Sequence, residues 1–368
     1  MALTEPTGTP TTAGPLVDEA KLEQFVHQVV ADLGAVMNAA LVNIGDKLGL
    51  YRALAGAGPT TPAQLAARTG TTERYVREWC SAQAAGGYLT YDPPTQTFTL
   101  PPEQAMALAD DTSPVFMLGG FDVASAVLAD EDEIAEVFRT GEGVGWHEHD
   151  SRLYPGTERF FRPNYRANLV DAWIPELEGV RNKLAEGIHV ADVGCGHGAS
   201  TILLAQAFPA STFSGFDYHP ASVQAAREAA DRAGVADRVR VDVASAKDYA
   251  GPESGYGLIM YFDCLHDMGD PVGALRHARS RLAPGGTVML VEPRAADLLE
   301  ENLNPVGRVF YAASTMLCTP ASLDQEVGLA LGAQAGPRRL EQVVREAGFT
   351  HFREAASTPF NLILEVRA

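Results

Sequence analysis

The first apolar pattern of the chain is helical. "LEQFVHQVVADLGAVMNAALVNIGDKLGLYRAL" carries apolar residues at helical spacing on more than one face, as in a helix that is buried or that pairs with another copy. Two shorter helical stretches follow, "TTPAQLAARTG" and "TTERYVREWCSAQAAGGYL". Glycine separates them, and Thr60 or Thr61 and Thr71 or Thr72 stand where N-caps belong. "YLTYDPPTQTFTL" then alternates polar and apolar residues around a Pro-Pro turn, which predicts strand, turn, strand. Helix, helix, hairpin in this order predicts a winged helix over residues 17–104. Residues 105–180 read as a mostly helical connector and pocket cover, with "ADEDEIAE" as a solvated acidic helix face.

Over residues 181–368 the pattern switches to alternation of strand and helix. Strands "HVADVG", "TFSGFD", "VRVDVA", "YGLIMYF" and "TVMLVE" are interleaved with helices "ASTILLAQAF", "PASVQAAREAADRAG" and "DPVGALRHARSRLA". That order predicts an α/β fold, a doubly wound, mostly parallel sheet whose ligands bind at the carboxyl ends of the strands. Residues 294–337 read as irregular. A helix ending "EAGF" comes next, then "HFREAAS" and "FNLILEVR", separated only by "TPF". So short a link excludes a parallel crossover, so the last two strands form an antiparallel hairpin at the sheet edge.

Composition narrows the function classes. The chain has 368 residues, suited to two or three domains, and 46% of them are apolar. No uninterrupted apolar run approaches the roughly 20 residues of a membrane-spanning helix. Residues 1–16 are small, polar and proline-rich, the composition of a disordered tail and not of a secretory signal. Cys80, Cys195, Cys264 and Cys318 lie far apart without metal-type spacing, which predicts neither disulfides nor zinc and fits a reducing cytoplasm. His147, Glu148, His149 and Asp150 are adjacent and offer no i,i+4 histidine pair, so no metal is expected there either. The formal net charge of −19 repels nucleic acid and anionic lipid. Within the winged helix Arg68, Arg74 and Arg77 are cancelled by Glu73, Glu78 and Asp92, and the wing has no Lys or Arg. DNA recognition needs positive charge there, so this domain reads as a dimerisation module.

The chemistry concentrates in "HVADVGCGHGASTILLAQAFP", residues 189–209. Gly194, Gly196 and Ala199 satisfy the dinucleotide pattern G-x-G-x-x-A, and Asp217 lies about 20 residues on, where a ribose ligand belongs. On this fragment alone NAD and S-adenosylmethionine are both open. Glycines admit a ligand close to the backbone, and a carboxylate at the second strand tip accepts both ribose hydroxyls. Asp192 before the first glycine, a third alternate glycine at Gly198 and the antiparallel end of the sheet separate the two. With "LAPGGTVMLVEP" and the "AGF" helix in order, these features resemble class I S-adenosylmethionine-dependent methyltransferases. The resemblance covers about residues 186–368. Including the front end, the chain resembles actinobacterial winged-helix methyltransferases and, more distantly, small-molecule O-methyltransferases.

The resemblance implies a role for each matching residue. Gly194, Gly196 and Gly198 would lie against the methionine part and ribose, and Asp192 would help hold the ammonium end through water. Asp217 would bind the ribose diol, with Tyr218 or His219 beside adenine. Ser245 stands where the family often has an aspartate for the adenine amino group, Ala246 beside it would also border the cofactor, and Phe262 and Asp263 would lie beside the sulfonium. In "FDCLHDMGDP" His266 matches the family's general base, and Glu292 matches the carboxylate that orients it. The family's second acid before the final helix is missing from "GLALGAQAGPRR"; methyl transfer by positioning alone stays open, as does a packing or capping role for His266 near Asp270. Asp267 reads as a local hydrogen-bonding residue. Phe116, Met117, Phe121, Trp146, Phe161 and residues 306–320 would cover an apolar or aromatic acceptor or belong to the core. The implied protein is a cytoplasmic, homodimeric methyltransferase acting on a small molecule. The rival classes are an NAD-dependent oxidoreductase, a winged-helix regulator that binds S-adenosylmethionine without chemistry, and a relative using that cofactor as a bound cation.

Overall fold

The structure is a computed structural model describing residues 17–368; the tail expected over residues 1–16 lies outside the described residues. The front unit contains α1 (Glu19–Lys47), α2 (Leu50–Leu54), α3 (Pro62–Thr69), α4 (Glu73–Ala85) and the antiparallel pair β1 (Thr90–Asp92) and β2 (Thr97–Thr99). Thr61 caps α3 in a reciprocal box with Gln64, whereas Thr72 occupies the N-cap of α4 without a side-chain bond. Val42, Leu50, Leu65, Trp79 and Phe98 form the core of this unit. Phe116 is buried in the same core and Phe121 packs against it, so neither covers an acceptor.

The connector supplies α5 (Pro102–Leu108), α6 (Leu118–Ala129), α7 (Glu131–Thr140), α8 (Leu153–Asn168), the short α9 (Ile174–Glu176) and α10 (Val180–Glu186). A π-turn, Leu169–Trp173, joins α8 to α9. On α7 the acidic side chains face solvent and Ile134 faces in. Asp130, just before it, is buried and bonded to His149 Nδ1 at 2.9 Å, so the acidic stretch is not solvated throughout. Glycine sets the crossing of α6 on α8: a Cβ at Gly119 would lie 2.4 Å from the backbone nitrogen of Phe160.

The remaining elements are β3 (His189–Val193), α11 (Ala199–Ala207), β4 (Thr212–Asp217), α12 (Pro220–Arg232), β5 (Val239–Val243), β6 (Tyr256–Phe262), α13 (Pro271–Arg281), β7 (Leu282–Pro293), α14 (Pro305–Ala313), α15 (Thr319–Leu323), α16 (Gly336–Glu346), β8 (His351–Ser357) and β9 (Asn361–Arg367). The sheet order is β5-β4-β3-β6-β7-β9-β8. The first five strands are parallel, β9 runs antiparallel between β7 and β8, and the final hairpin forms the edge as expected. Each face has its own apolar core, one against α8 and α10 to α12, the other against α13 and α16. The stretch expected to be irregular, 294–337, instead contains α14 and α15, joined by a second π-turn, Ser314–Cys318. Its two helices begin at Pro305 and next to Pro320, first-turn prolines that a sequence scan reads as breaks.

Helix α1 departs from the expectation about apolar runs. An 18-residue window in it has mean hydropathy 1.5, so it is long and apolar enough to cross a membrane by length and composition, although only 11% of that window is buried. Polar residues such as Asp32 and Asn38 interrupt the run without lowering its mean below that level. Its C-terminal end is tied into the protein body: Asn43 Nδ2 donates to the Phe121 carbonyl at 3.0 Å and to Ser125 Oγ at 2.8 Å. Arg159 on α8 donates to both Asp46 carboxylate oxygens, at 2.6 and 3.0 Å.

Candidate functional site

A cavity of about 440 Å³ opens at the carboxyl ends of the parallel strands. Gly194, Gly196, Asp217, Tyr218, Ser245, Ala246, Phe262 and Asp263 all line it. Asp192, Gly198, His266 and Glu292 do not; they stand behind its wall. A smaller cavity of about 110 Å³ shares Gly194, Gly196, Phe262 and Asp263 and adds Tyr154, Phe161, Tyr165 and His197. Trp146 borders both. Of the residues expected to cover an acceptor, Trp146 and Phe161 are therefore at the site. In the 306–320 stretch, Leu317 packs with Leu153 and Phe310 with Cys318.

The glycine loop follows β3. Gly194, Gly196 and Gly198 have φ of 73°, 51° and 78°, the left-handed region that glycine enters freely. Gly194 is also required by space, since a Cβ there would meet Cys264 Sγ at 2.7 Å. The loop is pinned at its base by Gly194 and Cys195 N–H groups donating to the Phe216 carbonyl at 2.8 and 3.1 Å. Asp217 Oδ2 accepts from Gly196 N at 2.9 Å and Oδ1 from His219 N at 2.9 Å. Each oxygen keeps further acceptor capacity on a residue that lines the cavity, the valence a vicinal diol needs. Burial pushes the pKa of Asp217 up, against the pull of those two N–H groups.

Asp192 is buried beneath the loop and takes hydrogen bonds through Oδ2 from Ser200 Oγ at 2.6 Å and Thr201 Oγ1 at 2.5 Å, fastening the start of α11 to β3. Its Oδ1 is buried without a partner. Burial raises its pKa from 3.8 to about 6, the two hydroxyls opposing and Asp217 adding to the rise. Ser245 Oγ accepts from Lys247 N at 3.1 Å, a local turn at the cavity rim.

Asp263 ends β6 in a strained conformation, with φ 48°. Tyr165 from α8 donates to its Oδ2 at 2.6 Å, and Asn361, the first residue of β9, donates to Oδ1 at 2.7 Å. Burial raises its pKa to about 7. Tyr165 and Asn361 carry no motif, and sequence reading misses both as partners of Asp263.

His266 sits in a single 3-10 turn, Leu265–Asp267, and is buried. Glu292 Oε2 lies 2.6 Å from its Nδ1, while Glu292 Oε1 accepts from Leu265 N at 3.2 Å. The expected pairing of His266 with Glu292 is therefore formed. Nε2 faces Asp267 Oδ1 at 3.1 Å, with Cys318 beside it. Burial disfavours the charged ring, but the Asp267 and Glu292 carboxylates outweigh it and hold the imidazole pKa well above its usual value. The cap of α13 is Asp270, whose Oδ1 accepts from Gly273 N at 2.7 Å, so His266 does not cap that helix. The four residues His147 to Asp150 do not converge: Glu148 accepts from Gly145 N, and Asp150 pairs with Arg152. Among the described residues the metal-type grouping is His266, Asp267 and Cys318. Spacing hides it, because Cys318 arrives from a distant helix.

Ionisation of Asp192 has a measurable consequence. Its pKa is higher in the folded than in the unfolded chain, so its contribution is fully present below about pH 4 and is lost as pH rises through about 6. The displacement is worth about 3 kcal/mol at most. Asp192→Asn is expected to flatten urea-measured stability between about pH 4 and 6, and profiles that stay parallel would refute the assignment.

Residues 184–348 match the family described as "Methyltransferase domain", and residues 36–110 match the "Rv2258c-like winged HTH domain". The 27-O-demethylrifamycin SV methyltransferase of Amycolatopsis mediterranei is 31% identical over 139 residues, 36% of this chain and 51% of that protein. The chain spans from about a quarter to half the length of the curated relatives it matches. An O-methyltransferase family protein from Burkholderia thailandensis superposes with TM-score 0.67 at 20% identity, over 96% of this chain and 99% of that one. An O-methyltransferase from neocarzinostatin biosynthesis, solved with S-adenosyl-L-homocysteine and 1,4-dihydroxy-2-naphthoic acid, superposes with TM-score 0.60 at 21% identity, covering 93% and 98%. The chain therefore carries a methyltransferase domain over residues 184–348 behind an Rv2258c-like winged helix-turn-helix domain, on a fold shared with a solved O-methyltransferase family protein.

Proposed function

We propose that this protein transfers the methyl group of S-adenosylmethionine to a hydroxyl of a small apolar or aromatic molecule. The observation that carries the reading is the meeting of three features in one cavity: the bare loop after β3, the Asp217 carboxylate at the tip of β4 and Asp263 at the tip of β6. Gly194 and Gly196 lie against the methionine part and ribose, with Gly198 completing the turn behind them. Asp217 holds the diol, Tyr218, Ser245 and Ala246 border adenine, and Phe262 and Asp263 flank the sulfonium. Asp192 acts on the cofactor through the loop it fastens. The aromatic rim of the smaller cavity, Trp146, Tyr154 and Phe161, suits a flat acceptor.

His266 takes the acceptor proton, and Glu292 fixes its tautomer and stabilises the charged ring that results. Because Asp267 and Glu292 hold the resting ring in its charged form, His266 must first release the Nε2 proton; the acceptor hydroxyl then replaces Asp267 at that nitrogen. In-line placement of hydroxyl oxygen and sulfonium methyl supplies the rest of the acceleration.

The protein works as a homodimer in the cytoplasm, without nucleic acid. Phe25, Val26, Val29, Val30, Leu33 and Met37 on α1 are exposed, an apolar surface larger than single scattered side chains explain. A second copy of α1 covers it. All four cysteines are unpaired, which suits a reducing compartment. On α4, Arg77 pairs with Glu73 and Arg74 with Glu78, leaving little free positive charge for phosphates.

Calorimetry with S-adenosylmethionine, its demethylated product and NAD tests the reading; heat with NAD alone sinks it. Asp217→Ala is expected to weaken cofactor binding by about 1.5–3 kcal/mol, the worth of a hydrogen bond to a charged group, and unchanged affinity removes the ribose assignment. His266→Ala is expected to keep cofactor affinity and lower turnover roughly a hundredfold or more, with unchanged turnover returning His266 to a packing role. Phe25→Glu combined with Leu33→Glu is expected to halve the mass measured by light scattering; a parent chain that is already monomeric disproves the dimer.

A further inference from the structure

We propose that His266, Asp267 and Cys318 form a site for a divalent transition-metal ion of the Zn²⁺ type, set in the wall of the cofactor cavity. The three donor atoms lie within 4.8 Å of one another. A four-coordinate zinc with bonds of about 2.0–2.3 Å holds its donors roughly 3.3–3.8 Å apart, so a small inward movement of the side chains closes the site. The pair His266 Nε2 and Asp267 Oδ1 already stands at 3.1 Å.

The donor set fits that class of ion. One imidazole, one carboxylate and one thiolate match a borderline-soft cation and suit neither calcium nor magnesium, which take oxygen ligands. Cys318 and His266 are buried, and Asp267 Oδ1 is a buried acceptor with no hydrogen-bond partner. The place between this oxygen and the ring nitrogen 3.1 Å away is held by the Nε2 proton of the charged ring or by a metal ion, which compete for the same lone pair.

Two further observations concern placement. Glu292 bonds to Nδ1, the ring nitrogen that the ion would not use, at 2.6 Å. Carboxylate on one ring nitrogen and metal on the other is the usual outer arrangement of histidine ligands, because it aims the free lone pair and raises its basicity. Cys318 closes the π-turn Ser314–Cys318 between α14 and α15. Such one-residue widenings recur at functional sites, and this one brings a thiol to His266. Its Sγ makes a weak contact of 4.0 Å with the Ala313 carbonyl and otherwise faces the His266 and Asp267 side chains. Asp267 also lines the cavity of about 440 Å³, so the ion would sit at its edge.

The inference does not rest on methyl transfer, but it has a consequence for it. An ion on Nε2 takes the lone pair that accepts the acceptor proton, so the loaded protein is switched off for that step. Zinc would then act as an inhibitor of the proposed reaction.

Cobalt substitution tests the site without reference to activity. Full-length protein stripped with a chelator and titrated with Co²⁺ is expected to develop a near-ultraviolet thiolate-to-cobalt band, with visible bands of four-coordinate intensity, at one ion per chain. Cys318→Ser should abolish the near-ultraviolet band and Cys264→Ser should keep it, circular dichroism confirming that both fold. Glu292→Gln should weaken binding tenfold to a hundredfold. Absence of the band in the parent chain, or its persistence in Cys318→Ser, overturns the proposal. So does zinc retention after dialysis no higher in the parent than in Cys318→Ser, which leaves only a hydrogen-bonded cluster. Calorimetry with S-adenosylmethionine on the same samples reads the cofactor site separately.

Discussion

The rest of the site depends on a short reciprocal contact between two strand ends. The loop after β3 can lie flat against the sheet only because Gly194 has no Cβ to strike Cys264 and because Phe216 accepts its first two N–H groups. Asp217, one residue past Phe216, then turns its carboxylate back onto Gly196 N. The loop is thus held by the residue that will hold the ligand. An open backbone surface and an acidic strand tip arise from one register, that of β3 against β4, in which Val193 faces Phe216.

Around that contact the structure gathers three carboxylates, Asp192 buried and Asp217 and Asp263 half-buried, each with its pKa raised chiefly by desolvation. Desolvated acids at one cavity are held apart from their preferred charge state, and a cation entering among them relieves that cost. A sulfonium with an ammonium group supplies such charge. A dinucleotide brings a pyrophosphate to the same loop, where it would meet these acids with Lys247 as the one basic side chain among the cavity-lining residues. The glycine pattern alone leaves both ligands open; the acids behind it separate them. The acidity of the whole chain, net −19, points the same way for any charged ligand approaching the cleft.

What could be read from the chain follows the range of the physics involved. Strand and helix alternation, the glycine loop and Asp217 are encoded by local spacing or by position at strand tips and recur in the fold; the contact of His266 with Glu292, present at 2.6 Å, was implied by the family resemblance alone. The closing hairpin was legible because a three-residue link permits no other connection. Contacts made between distant segments were not. Tyr165 and Asn361 reach Asp263 from α8 and β9, and Cys318 reaches His266 from α15's approach; none sits in a motif. The helices within residues 294–337 were obscured by prolines that start helices as readily as they end them. Phe116 and Phe121 illustrate a different limit, since apolar residues beside a domain boundary do not declare which core they join.

The front unit and the cavity are joined by a continuous set of contacts. Asp46 on α1 holds Arg159 on α8, and Arg159 also lies over the Phe116 ring at 5.2 Å and bonds Asp122 on α6. Within two turns of Arg159 along α8 stand Phe161 and Tyr165, stacked at 5.9 Å, and Tyr165 bonds the strained Asp263. Helix α8 is therefore a rigid member shared by the body beneath α1 and the wall of the smaller cavity. The dimer proposed above would restrain, through α1, the same helix that positions Asp263. This gives the winged-helix unit a mechanical part in shaping the site even though its own surface carries no chemistry.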